Sequence, residues 1–85
     1  MEGYRIDYFK QLTAFYDLVF SNKLTSLHIS TYHVLLYRNN LNRWNLHFSC
    51  PIETVMKGAG IGSKHTYYKV IADLVKWGVI EHESG

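Results

Sequence analysis

Proline and cysteine are nearly missing from this 85-residue chain, which has one of each. The lone cysteine, Cys50, permits no internal disulfide, and that fits a reducing compartment, so a cytoplasmic location is expected. The lone proline, Pro51, suits the first turn of a helix, where its missing N–H costs little. No apolar run approaches the ~20 residues that a membrane span needs. The first ten residues hold acids and tyrosines where a signal peptide would hold bases and then an apolar stretch. Charge is sparse as well. The formal net charge is +2, with five Lys/Arg against three acids in residues 1–50 and four against four in residues 51–85.

Catalytic and metal-binding spacings are also missing. The five histidines (28, 33, 47, 65 and 82) and Cys50 form no CxxC or HExxH pair. His33 lies on an apolar stripe and reads as a hydrogen-bonded core histidine. Cys50 reads as a small buried hydrophobe. The glycines of GAGIGSKH lack the GxxxxGK[ST] order of a phosphate loop, and a helix, not a strand, precedes them. These features imply no enzyme, no metal and no cofactor.

Hydrophobic residues are abundant, at 47% of the chain, of which aromatics make up 15% of all residues. Such a composition supports one dense globular domain over 1–85, although a chain of this size buries only about 60% of its unfolded surface. Arg5 to Phe20 has helical period, with Phe9, Leu12, Tyr16 and Val19 on one face and Tyr8, Phe15 and Leu18 beside it. Thr25 is an N-cap candidate for a second helix, with Ile29, Tyr32, His33 and Leu36 inward and an end near Asn39-Asn40. Residues 44–49 alternate as a strand. Pro51 opens a third helix running to about Lys57. Gly58, Gly60 and Gly62 then supply a tight corner, and Ser63 caps a fourth helix that ends at Trp77 with Gly78 as its C′ residue. Residues 79–83 read as a strand. The predicted order is α-α-β-α-α-β, a mainly helical α+β domain of winged helix-turn-helix type with the helix-turn-helix at about 51–77. Strand 44–49 is expected to pair with 79–83. A third strand would complete the wing, so the chain is expected to be the N-terminal part of a longer protein.

On the fourth helix, Tyr67, Val70, Ile71, Leu74 and Trp77 share the inward face. His65, Tyr68, Lys69, Ala72 and Lys76 lie opposite, with Lys64 in the first turn. Lysines, a histidine and a tyrosine around a small residue suit phosphates and base edges, and a second helix after a tight turn is the element that enters a major groove. The hydroxyls of Ser63 and Thr66 stand where helix N-terminal amides bind phosphate. Ser63, Lys64, His65, Thr66, Tyr68 and Lys69 are therefore the candidate DNA contacts. Asp73, at the edge of this face, opposes the reading. An aromatic surface of Tyr4, Tyr8, Phe15 and Phe20 on the first helix is the candidate interface of a homodimer.

GIGSKHTYYKVIADLVKWGVI resembles the pattern shared by winged helix-turn-helix proteins, with Ile61, Tyr67, Val70, Ile71, Leu74, Gly78 and Ile80 at its apolar and glycine positions. Gly62 departs from it, standing where many relatives have a polar residue. FKQLTAFYDLVFSNKLTSLHISTYHVLLYRNNLNRW resembles the opening of phage replisome organisers and DnaD-like primosomal replication proteins. Phe9, Leu12, Phe15, Asn22, Leu24, Tyr32, His33, Leu35, Leu36, Asn39, Asn40 and Trp44 carry that resemblance. It implies a role in loading the replication machinery through DNA binding and self-association, with other replication proteins as possible partners and no membrane. A winged-helix transcriptional regulator and a protein-interaction module on the same scaffold are the alternatives.

Overall fold

The computed structural model describes residues 2–21, 23–41 and 47–83. Asn22, residues 42–46 with Trp44, and the side chains of Tyr8, Phe9 and His47 lie outside the described residues. The elements are β1 (Glu2–Arg5), α1 (Tyr8–Phe20), α2 (Ser26–Leu41), β2 (His47–Cys50), α3 (Ile52–Ala59), α4 (Lys64–Lys76) and β3 (Glu81–Glu83). Among the described residues, four helices thus accompany a small three-stranded antiparallel sheet. None of the described helices is long and apolar enough to cross a membrane.

The sheet differs from the expected one. Its order is β2-β1-β3, so residues 47–50 and 81–83 do not pair with each other. Each pairs with β1, Tyr4 lying opposite Phe48 on one side and His82 on the other. The third strand comes from the first residues of the chain, Glu2–Arg5, where the sequence reading places Tyr4 on the first helix and begins helical period at Arg5. Glycine followed by alternating Tyr4, Arg5 and Ile6 is too short for periodicity to separate strand from helix. The pairing decides it. Tyr4, Phe48 and His82 then share the inner face by the two-residue alternation of strands. Tyr4 stacks on Phe48 with centroids 5.6 Å apart and leans on the ring of His82 at 5.2 Å. On the outer face Arg5 pairs with Glu81, an exposed contact that contributes little.

Each helix has an identifiable start or stop. Gln11 accepts a hydrogen bond from the Asp7 amide (2.5 Å) at the head of α1 and donates to the Gly78 carbonyl (3.3 Å), tying α1 to the turn that follows α4. Gly60 ends α3 at φ 74°, and Gly78 follows α4 at φ 76°, both in the left-handed region that favours glycine. Of the three corner glycines, only Gly60 has positive φ. Gly58 remains helical and serves a different purpose, since a Cβ there would stand 2.9 Å from Cγ2 of Val34. Its missing side chain lets α3 lie directly on α2.

The buried face of α2 is His28, Thr31, Tyr32, Leu35 and Asn39; of the expected Ile29, Tyr32, His33 and Leu36, Ile29 and Leu36 are partly buried against the core and His33 is exposed. Tyr32 alone is common to both. The expected stripe counted apolar residues, whereas three of the five buried positions are polar. His33 is exposed, donating from Nδ1 to the Ile29 carbonyl at 3.0 Å. Tyr32 and Phe15 are fully buried and stack at 3.9 Å, joining α1 to α2. Around them close Leu35, Val55, Tyr67, Ile71, Leu74, Val79 and Ile80.

Gly58→Ala provides a test of the α2–α3 contact. Alanine in a helix interior gains about 1 kcal/mol in propensity, but overpacking costs about 1–3 kcal/mol. The variant should therefore be less stable in urea unfolding, and Val34→Ala in the same chain should recover part of the loss. A Gly58→Ala chain that is more stable than the parent would show that the two helices separate freely.

Candidate nucleic-acid interface

The turn between α3 and α4 spans residues 60–63. Its geometry follows from two residues. Gly60 reverses the chain, and its amide and that of Ile61 return to the Met56 carbonyl, the latter at 2.8 Å. Ile61 is buried and anchors the corner. Ser63, in extended conformation, caps α4 by accepting from the Thr66 amide at 3.2 Å. Its hydroxyl also donates to Thr66 Oγ1 at 3.0 Å, so the two hydroxyls are engaged with each other in the cap.

From that start α4 divides as expected. Tyr67, Val70, Ile71 and Leu74 are buried, and Trp77 is partly buried. Ser63, Lys64, His65, Tyr68 and Lys69 are exposed, together with Ala72 and Lys76, and Thr66 is half-buried. The six candidate contacts therefore occupy the first turns and outer side of one helix. Tyr68 packs edge-on against Tyr67 at 5.0 Å, which holds its ring near the helix while 44% of the residue stays exposed.

Two buried polar contacts set the attitude of this helix. The first joins Tyr67 to the central strand through the hydroxyl of Tyr4, 2.5 Å away. The second is His28, buried at the start of α2. Its Nδ1 lies 3.1 Å from the Thr25 amide and 2.7 Å from Thr25 Oγ1, and its Nε2 lies 2.9 Å from Asp73 Oδ2. A backbone amide can only donate, so Nδ1 is the acceptor and Nε2–H donates to the carboxylate. Thr25 thus caps α2, as expected, with His28 three residues later in the place of a capping-box acid. The Trp77 ring covers the imidazole at 5.0 Å. Asp73 consequently has a partner on α2. Sequence reasoning left this histidine aside; the Thr-x-x-His spacing was the one signal for it.

The aromatic dimer surface does not form as expected. Tyr4 belongs to β1 and is 2% exposed, and Phe15 is fully buried, so both are core residues. Their rings are consumed by Phe48, His82 and Tyr32. The Tyr8 side chain lies outside the described residues. Phe20 is on the surface, 82% exposed.

Among the described residues no three His, Cys, Asp or Glu side chains converge as a metal site. Cys50 is buried at the end of β2, and burial pushes its thiol above the ordinary range, partly offset by the Arg38 charge. A raised thiol pKa favours the folded state while the group is protonated. That contribution is complete at neutral pH and is lost as pH rises into the alkaline range. Cys50 should therefore react with a thiol reagent at neutral pH only as fast as the chain unfolds; immediate reaction in native buffer would place it on the surface.

The His28–Asp73 contact is measurable by a double-mutant cycle. Losing either partner leaves the other poorly satisfied, at about 1–3 kcal/mol. His28→Ala and Asp73→Ala should each destabilise the chain, and the double variant should cost less than the sum of the two; strict additivity would mean that no coupling exists. The chain matches no protein-family model, no curated protein and no solved structure.

Proposed function

We propose that this chain is a winged helix-turn-helix DNA-binding domain, and that α4 is the helix that enters the major groove. The observation that carries the reading is the exposed face of α4. Lys64, Lys69 and Lys76 lie there with His65, Tyr68 and the small Ala72, and the one carboxylate of the helix is held toward α2 by His28. Locally this surface is cationic although residues 51–85 carry no net charge. Lysines of this kind contact phosphates, which position the protein, while His65 and Tyr68 reach base edges. Ala72 permits close approach. The sheet packs against the first turn of α4, where Tyr67 meets Tyr4 and His82.

A replication role, in a replisome organiser or primosomal protein of a phage or bacterium, rests on the resemblance of the first half of the chain. Its core positions Phe15, Tyr32 and Leu35 are buried together here, which supports the alignment of that pattern with the fold. A second reading is a protein-interaction module. The exposed acids Glu81 and Glu83 on β3 favour it, because they stand on the strand that would flank the duplex.

A fluorescence-anisotropy titration of duplex DNA over a salt series tests both readings. With about four to six phosphate contacts, log K should fall against log salt with a slope of about −4 to −5. Changing Lys64 and Lys69 together to Ala should weaken binding about tenfold or more and reduce the slope by about 2. Thermal stability should not change, since both side chains are exposed. Absence of binding at low salt would remove the DNA reading and favour the interaction module, and an unaltered slope in the double variant would move the contact surface off α4.

A further inference from the structure

We infer that the chain pairs with a second copy of itself, the last turn of α1 in one protomer entering the groove between α2 and α3 of the other. The groove has a volume of about 510 Å³ and is lined by Ile29, His33, Val34, Tyr37, Arg38 and Thr54, among others. That is the size of a pocket that encloses a small organic ligand, enough for large side chains. Gly58 forms part of its wall, where α3 lies close against Val34 of α2. None of the residues lining it is acidic. The chain in fact has no Asp or Glu from Leu18 to Ile52, while Lys23, Arg38 and Arg43 fall within that stretch. An occupant of this groove should therefore bring apolar rings together with a carboxylate.

α1 presents that combination. Phe20 is 82% exposed, the highest value for a large hydrophobic residue among those described, and Tyr16, one turn earlier, is 41% exposed. Their rings lie 6.5 Å apart, and Asp17 is exposed beside them. Exposed rings of this size lose free energy to water at about 25 cal/mol per Å², which burial in an apolar groove would recover. The carboxylate of Asp17 complements Arg38 and His33 on the groove wall. In a two-fold pair the exchange is reciprocal, each protomer giving α1 and receiving its partner's. A foreign helix with acidic and aromatic residues would match the groove in the same way. The second copy is favoured because this chain itself displays the complementary element on its surface. The contact does not use α4, and it is independent of whether the chain binds DNA.

Sedimentation velocity on the whole chain over a concentration series is the test. The parent chain should shift from monomer to dimer as concentration rises. Phe20→Ala should raise the dissociation constant about tenfold or more, with a nearly unchanged melting temperature because Phe20 is 82% exposed in the protomer. Thr54→Glu, at an exposed site in the first turn of α3 where a carboxylate is tolerated, should repel Asp17 and weaken the dimer, and Asp17→Lys added to Thr54→Glu should restore it. A chain that stays monomeric at every concentration would overturn the proposal. So would a Phe20→Ala chain that associates like the parent, or a charge exchange that restores nothing.

Discussion

The pairing of β1 with both other strands is the constraint on which the rest of the molecule depends. Residues 2–5 lie between 47–50 and 81–83, three segments far apart in sequence, and neither outer strand touches the other. Closing these loops costs chain entropy that only the ladder bonds and the burial of Tyr4, Phe48 and Ile80 can offset. Once β1 is in place, the alternation of strand side chains sends Tyr4 inward, and its hydroxyl meets Tyr67 on α4. The attitude of the candidate recognition helix therefore depends on residues at the opposite end of the chain.

The second determinant of that attitude is polar. His28 accepts from the head of its own helix and donates to Asp73, linking α2 to α4 under the cover of Trp77. A buried imidazole satisfied on both nitrogens contributes to stability mainly by avoiding the cost of leaving a polar group without a partner. It has a second consequence for the surface. Asp73, at the edge of the exposed face, is engaged by His28 and is only partly exposed.

Much of the second half was legible in the sequence because its signals are local. Ser63 caps through its own side chain, Gly78 adopts the left-handed conformation its position requires, and Tyr67, Val70, Ile71 and Leu74 repeat at helical spacing. The inward face of α2 was not legible. There His28, Thr31 and Asn39 are buried while Ile29 and Leu36 are only partly covered, so a count of apolar residues rotates the stripe away from its buried centre. The aromatic surface assigned to α1 failed for a related reason. Aromatic character announces that a ring will be covered, but not whether its own core or a partner covers it. Tyr4 and Phe15 turned inward, while Tyr16 and Phe20 did not.

The sequence by itself determined a mainly helical α+β architecture, the helix–glycine turn–helix of residues 52–76, its caps, and the exposed residues of α4, because each depends on interactions spanning a few positions. Only the tertiary structure decided that the first residues are the central strand, that Gly58 is a contact with Val34 and not a turn, that His28 and not His33 is the buried histidine, and that Asp73 pairs with His28. Those outcomes depend on partners 24 to 80 residues away, and no local period records which of several apolar or polar faces a distant segment will meet.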